Sequence, residues 1–260
     1  MAHYQLRLAY DGTDYFGFQR QGKTRTVQSV FESVLRELGW QEETILFAGR
    51  TDTGVHASGQ VVVFELDWKH GDEVLIKALN AKLPRDVAVD KISRVDADFH
   101  PRYDASTRTY IYTIYQKPER DPILDRFAWR VWPELDLERL NQAAMILMGR
   151  HDFSAFGRAM KPGASTTREV ISSRWSKTDQ LQYLIEGNAF LYHMVRRTVF
   201  VQVQFARYKL SEEELRNGVM NAQPMSPGLA PSRGLNLASV SYPEDKQRTV
   251  ENVEILDNIA

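Results

Sequence analysis

The stretch "RTYIYTIYQ", residues 108–116, reads as a β-strand, and its place in the chain decides the fold. Upstream lies a strand "YQLRLAY" (4–10), in which Tyr4, Leu6 and Leu8 alternate with Gln5 and Arg7. A helix follows in "TVQSVFESVLRELG" (26–39), where Val27, Val30, Phe31, Val34, Leu35 and Leu38 recur at helical spacing. Thr26 suits its N-cap and Gly39 its stop. A strand "QVVVFEL" (60–66), a helix "DEVLIKALNAKL" (72–83) halted before Pro84 and a strand "VAVDKISRV" (87–95) complete a β-α-β-α-β order.

Residues 108–116 begin that order a second time. Next come a helix "DLERLNQAAMILMG" (136–149), paired strands "REVISSRWS" (168–176) and "QLQYLIEG" (180–187), and a helix "FLYHMVRRTVFVQVQ" (190–204). Another helix starts at Ser211, with Glu214 completing a capping box, and "NLASVSYP" (236–243) is the last strand. A repeated order of this kind predicts two ferredoxin-like α+β halves, mostly antiparallel sheets with helices on one face, rather than one doubly wound sheet. The boundary is expected near Ala105, giving domains 1–105 and 106–260 with the active-site cleft between them, since no low-complexity linker separates the halves.

The 260 residues are 43% hydrophobic and 26% charged, ordinary for a soluble globular chain with room for two modest domains. With no cysteine, disulfides, thiolate metal sites and cysteine nucleophiles are excluded, and a reducing compartment is favoured. The N-terminus lacks the apolar core of a signal peptide, and no run reaches the length of a membrane span, so a cytoplasmic protein is expected. A formal net charge of −1 gives no global attraction to nucleic acid. One local cluster does: between Phe190 and Leu210, Arg196, Arg197, Arg207 and Lys209 stand among aromatic residues with no acid, which reads equally as a solvated basic helix face or an RNA contact.

The chemistry gathers in "AGRTDTGVHASG" (48–59), where Asp52 is the sole acid among small residues, with Arg50 and His56 on either side. A turn aspartate would explain that much. The stretch lacks the lysine of a phosphate-cradling loop, and its glycines do not make a dinucleotide fingerprint. "HDFSAFG" (151–157) sets Ser154 near His151, but outside the GxSxG elbow of a hydrolase. Asp52 and His56 find no third ligand, so no metal is assigned. What remains is a solitary carboxylate with arginines available to keep it ionised, the equipment of carboxylate nucleophilic catalysis. Tyr110 and Tyr112 would share a strand face with Arg108, although tyrosines packing a sheet give the same pattern.

Eight blocks, "YDGTDYFGFQRQ", "TVQSVFESVL", "AGRTDTGVHASGQ", "LNAKLPRDVAV", "FHPRYDASTRTYIYTIY", "GRHDFSAF", "FLYHMVRRTV" and "APSRGLNLASVSYP", together resemble the TruA family of tRNA pseudouridine synthases, in family order from Tyr10 to Pro243. The resemblance implies isomerisation of uridine to pseudouridine at positions 38 to 40 of the tRNA anticodon arm, by a homodimer that uses no metal or cofactor. It makes Asp52 the catalytic nucleophile and Arg50 a residue that helps displace the target base. It makes Tyr110 the residue that stacks on the uracil and serves as base, and Arg196 the partner of the carboxylate. His56 joins Arg50 and Tyr110 as a substrate-binding candidate. Phe18, Thr53 and Phe200 depart from the family's usual tryptophan, alanine and glycine, and "VQVQFARYKL" (201–210) departs too.

Two rival readings compete. A non-catalytic RNA-binding module would gain nothing from an acid near RNA phosphates. A nucleoside hydrolase would want a second positioned acid, and none stands near Asp52 in the sequence. Helical geometry separates the neighbouring arginines: residues about 100° apart cannot both face one site, and the resemblance, through HMVR, implies that the first, Arg196, partners Asp52, which leaves Arg197 for tRNA binding.

Overall fold

The computed structural model describes residues 1–244, and these divide into two compact units. Unit 1 holds Met1–Ser106 and the described residues from Ala238 on, and unit 2 holds Thr107–Leu237.

Unit 1 contains β1 (Ala2–Tyr10), α1 (Val27–Glu37), β2 (Leu46–Phe47), β3 (His56–Leu66), α2 (Asp72–Lys82) and β4 (Val87–Val95). β1 lies between β3 and β4 and is antiparallel to both. Its register sets Tyr4 against Phe64, Leu6 against Val62 and Leu8 against Gln60, so these side chains share one face. Helix α1 covers that face: Phe31 meets Phe64 edge to face with ring centroids 6.0 Å apart. Thr26 caps α1 through a capping box with Ser29, and Gly39 ends it at φ 96°. The intervening β3 residues, Val61 and Val63, point the other way into a second apolar cluster with Ala48, Phe99 and Tyr242. β3 is therefore buried on both faces, which explains why "QVVVFEL" runs apolar instead of alternating.

Unit 2 contains β5 (Thr107–Tyr115), β6 (Trp129–Arg130), α3 (Leu137–Ile146), β7 (Gly149–Asp152), β8 (Thr167–Lys177), β9 (Leu181–Gly187), α4 (Met194–Ala206) and α5 (Glu212–Met220). β5, β9, β8 and β7 are joined in that order by antiparallel pairing, and β6 runs parallel to β5. Tyr112 pairs with Tyr183, and Tyr183 stacks on Trp175 at 4.9 Å. The Trp175 indole donates to Gln202 of α4 at 2.7 Å, while the Asn141 amide of α3 brackets the Trp175 backbone at 2.8 and 3.1 Å. Both helices thus lie over the face that carries Tyr110 and Tyr112. Asp136 caps α3, and the predicted capping box at Ser211 and Glu214 opens α5.

The expectation of α+β architecture with mostly antiparallel strands is met, with three differences in detail. The last strand, β10 (Leu235–Ser241), returns its end to unit 1, so the division is not a single cut near Ala105. Ser106 N–H donates to the Ser241 carbonyl at 2.9 Å, the Tyr242 hydroxyl donates to the Pro101 carbonyl at 2.8 Å, and Tyr242 fills the cluster under β3. The helix expected from Phe190 begins at Met194, because Tyr192 pairs its backbone with Arg158 and His193 turns left-handed at φ 66°. β2, β6 and β7 span two to four residues each, too short for a periodic signal. Among the described residues, no helix is long and apolar enough to cross a membrane.

Candidate active site

In unit 1 the loop bearing Asp52 is held from several sides. The Thr51 hydroxyl bonds the Tyr10 hydroxyl at 2.8 Å, and the Thr51 carbonyl accepts from Phe18 N–H at 3.1 Å. The Asp52 carbonyl accepts from Val55 N–H at 3.1 Å, and Gly54 N–H donates to the Tyr15 carbonyl at 3.3 Å. Two glycines of "YDGTDYFGF" make this interlock possible. A Cβ on Gly12 would stand 2.0 Å from the Val55 carbonyl oxygen, and one on Gly17, at φ 82°, would stand 2.8 Å from that of Thr51. Side chains are excluded there because two backbones meet. Asp52 itself is half-buried, reachable from solvent yet carried on a fixed backbone.

Arg50 is exposed on the same loop. His56 is buried, and its Nδ1 accepts from Gly12 N–H at 3.1 Å and lies 3.2 Å from the Asp11 carboxylate. The histidine thus ties the start of β3 to the loop that grips Asp52, so its geometry is that of a structural residue. Phe18, in place of a tryptophan, is fully buried between Tyr10 and Phe47, at 6.0 and 4.8 Å. Thr53 is exposed. One more network supports the loop: Asp86 accepts from the Tyr15 hydroxyl at 2.7 Å and from Arg25 at 2.8 Å, and Arg25 lies over the Tyr15 ring at 4.0 Å. The sequence reading missed it because these residues are 71 and 61 positions apart in sequence from Asp86.

In unit 2, Tyr110 is buried on β5, with the Phe190 ring edge-on at 5.2 Å. On the same face the Tyr112 hydroxyl donates to the Pro231 carbonyl at 2.8 Å. Burial pushes that phenol well above its usual range against the opposing pull of Arg196 and Arg233, which keeps Tyr112 protonated as a donor. Arg196 Nε donates to the neighbouring Ala230 carbonyl at 2.8 Å, and Ala230 N–H returns a bond to the Arg196 carbonyl at 3.2 Å. Tyr112 and Arg196 are thereby fixed to successive peptide groups of one strap, two strand positions from Tyr110.

Arg197 departs from expectation. Its guanidinium clamps the carbonyls of Gly228 at 2.7 Å, Met225 at 3.1 Å and Ser226. Arg207 likewise donates to the Trp132 carbonyl at 2.9 Å. Three arginines of the basic segment are therefore spent on backbone carbonyls, and Arg197 holds the strap that seats Arg196. Phe200 lies against the same strap: a Cβ on Gly228 would fall 2.1 Å from its ring. His151, once set beside Ser154, bonds the Met148 carbonyl at 2.8 Å, while Ser154 N–H turns to Asp152 at 2.9 Å. Among the described residues, no group of three or more His, Asp or Glu side chains could share a metal ion.

Comparison with known proteins gives the family. The profile of the family described as tRNA pseudouridine synthase matches residues 8–104 and 143–243, more than half of the chain. The chain belongs to the tRNA pseudouridine synthase family. As a member of it, the protein is an isomerase. It is similar to tRNA pseudouridine synthase A of Colwellia psychrerythraea, 36% identical over 244 residues that cover 93% of this chain and 94% of the relative. A tRNA pseudouridine synthase A of Dictyoglomus turgidum is 39% identical over 246 residues, covering 93% of this chain and all of the relative. That of Halalkalibacterium halodurans is 39% identical over 212 residues, 81% of each chain. The first matched stretch contains Arg50, Asp52 and His56, and the second contains Arg196.

Proposed function

We propose that this synthase converts uridine to pseudouridine at positions 38 to 40 of the tRNA anticodon arm, with Asp52 as nucleophile, as a cytoplasmic homodimer that needs no cofactor or metal. The observation that carries the reading is the clamped loop of unit 1, which holds one accessible carboxylate within the first stretch that the family profile matches.

The reaction breaks the N1–C1′ bond, turns the uracil and joins C5 to C1′. The proton lost from C5 is balanced by one gained at N1, so there is no net redox change or hydrolysis. Asp52 adds to C6 of the base or forms an ester at C1′, and either route requires it ionised. Arg196 is the cation assigned to keep it so, and its pinned Nε fixes the plane of the guanidinium. Tyr110 is assigned to stack on the uracil and to take the C5 proton directly or through a water. Exposed Arg50 fills the gap left by the displaced nucleotide. His56 is assigned to hold the loop rather than the substrate.

The test is single-turnover conversion of tRNA by Asp52→Asn, with pseudouridine mapped in the product. Turnover should vanish while tRNA affinity and melting temperature hold. A residual rate above about a thousandth of wild type would sink the nucleophile assignment.

A further inference from the structure

The motif "GRHDFSAF" has no part in the chemistry above, yet in unit 2 it builds one wall of a groove. The groove has a volume of about 670 Å³, and "FLYHMVR" together with the Arg197-clamped strap forms the rest of its lining. That volume lies within the range of small-molecule sites, about 300–1,000 Å³. Gly157 lets the two motifs meet: a Cβ there would stand 2.7 Å from the Tyr192 carbonyl oxygen. The contact fixes Arg158 and Tyr192 as a backbone bridge. Their side chains continue the pairing, for the Arg158 guanidinium lies over the Tyr192 ring at 4.9 Å, and Tyr192 stacks on His193 at 3.7 Å with 27° between planes.

The result is a column of one cation and two aromatic rings at the edge of a groove. Arg158, Arg197 and His193 line it, and no carboxylate does. Arg158 is exposed, whereas Tyr192 and His193 are half-buried. Stacked rings beside the exposed Arg158 guanidinium, with no acid in the lining to repel phosphate, suit an unpaired nucleotide: its base extends the column and its phosphate meets Arg158. An acidic peptide would use the charges but leave the ring stack idle.

We propose that this groove is a second RNA subsite, which holds an unpaired tRNA nucleotide apart from the target uridine. The inference rests on the tRNA reading above and adds to it a residue set that binds without reacting.

Its test compares Arg158→Gln, Arg158→Lys, Tyr192→Leu and Tyr192→Phe in steady-state conversion of full-length tRNA. The affinity of each for the same tRNA is also measured in an Asp52→Asn background across a salt series. Arg158→Gln and Tyr192→Leu should raise KM and Kd on the order of tenfold, with kcat held within about twofold. Arg158→Gln should also lower the salt slope by about one. Arg158→Lys should keep the slope, and Tyr192→Phe should keep the affinity. If wild-type enzyme modifies tRNA and both loss variants leave KM, Kd and slope unchanged, the groove is not an RNA subsite, which is also the result a peptide-binding groove would give. Should wild type make no pseudouridine, the functional proposal fails, while the affinity series still reads the groove by itself. Arg158 is exposed, so its arm stands even if Tyr192→Leu does not fold.

Discussion

Replacing Gly12, Gly17 and Gly22 singly by alanine separates two costs that the loop around Asp52 combines. Gly22 has φ 52° and no heavy atom within 4 Å of an added Cβ, so Gly22→Ala carries conformational strain alone, about 1–2 kcal/mol. Gly12 has no positive φ, but its Cβ would sit 2.0 Å from the Val55 carbonyl oxygen. Ordinary contact begins near 3.4 Å, so the two backbones must part by more than 1 Å. Overpacking of this kind costs typically about 1–3 kcal/mol. The displaced segment is the one whose Val55 N–H bonds the Asp52 carbonyl, so the carboxylate moves with it. A 1 Å misplacement of a catalytic group can cost about a hundredfold in rate. Gly17→Ala combines the two penalties, with φ 82° and a 2.8 Å approach to the Thr51 oxygen. Urea unfolding should therefore rank Gly17→Ala at or below Gly12→Ala, with Gly22→Ala mildest. Single-turnover pseudouridine formation should fall on the order of a hundredfold for the first two and remain near wild type for Gly22→Ala. A folded Gly12→Ala protein with the wild-type rate constant would refute the claim that this interlock positions Asp52.

Arg196→Met should lose activity heavily while leaving the fold in place. A single-turnover rate equal to wild type would remove Arg196 from its assigned role. Arg197→Met should instead lower unfolding stability by about 1–3 kcal/mol, because charge-assisted bonds to three strap carbonyls go, and calorimetry showing no change would contradict the clamp. Stability should decline above pH 10: burial raises Tyr183 from 10.0 to about 12, so the unfolded chain releases that proton first and the native state is penalised as pH climbs between the two values. Tyr183→Phe should flatten the decline by roughly 1.4 kcal/mol per pH unit, and an unchanged slope in urea titrations at pH 10.5 and 11.5 would count against this account.

The elements that the sequence disclosed are those in which one side chain reports on burial. β1 alternates because Tyr4, Leu6 and Leu8 lie under α1 while Gln5 and Arg7 do not, and α1 announces itself through Thr26 and Gly39. Asp52 was legible for a different reason, as a charge set among small residues. Partners separated in sequence were not legible. Nothing local in "DYFGF" says that Gly17 must make room for the Thr51 carbonyl, or that the Tyr15 hydroxyl will donate to Asp86. The anchoring of His56 was hidden for the same reason, since its partners Asp11 and Gly12 are over forty residues upstream.

The adjacent arginines carry this argument furthest. Helical geometry sets the two residues about 100° apart, yet both guanidinium groups reach carbonyls of one strap, which direction alone could not say. Arg197 meets three carbonyls of a strap about thirty residues on, and Arg196 meets the Ala230 carbonyl, two residues past Gly228 on the same strap. The Phe200 ring lies against that strap at Gly228, the position that makes room for it, within the segment that seats Arg196. It follows that Gly228→Ala should disturb Arg196 more while Phe200 is present than once the ring is gone, the strain of φ 149° remaining in both. The double variant Phe200→Gly with Gly228→Ala should therefore recover part of the activity that Gly228→Ala alone loses. Additive losses in that cycle would mean that the ring and the glycine act separately.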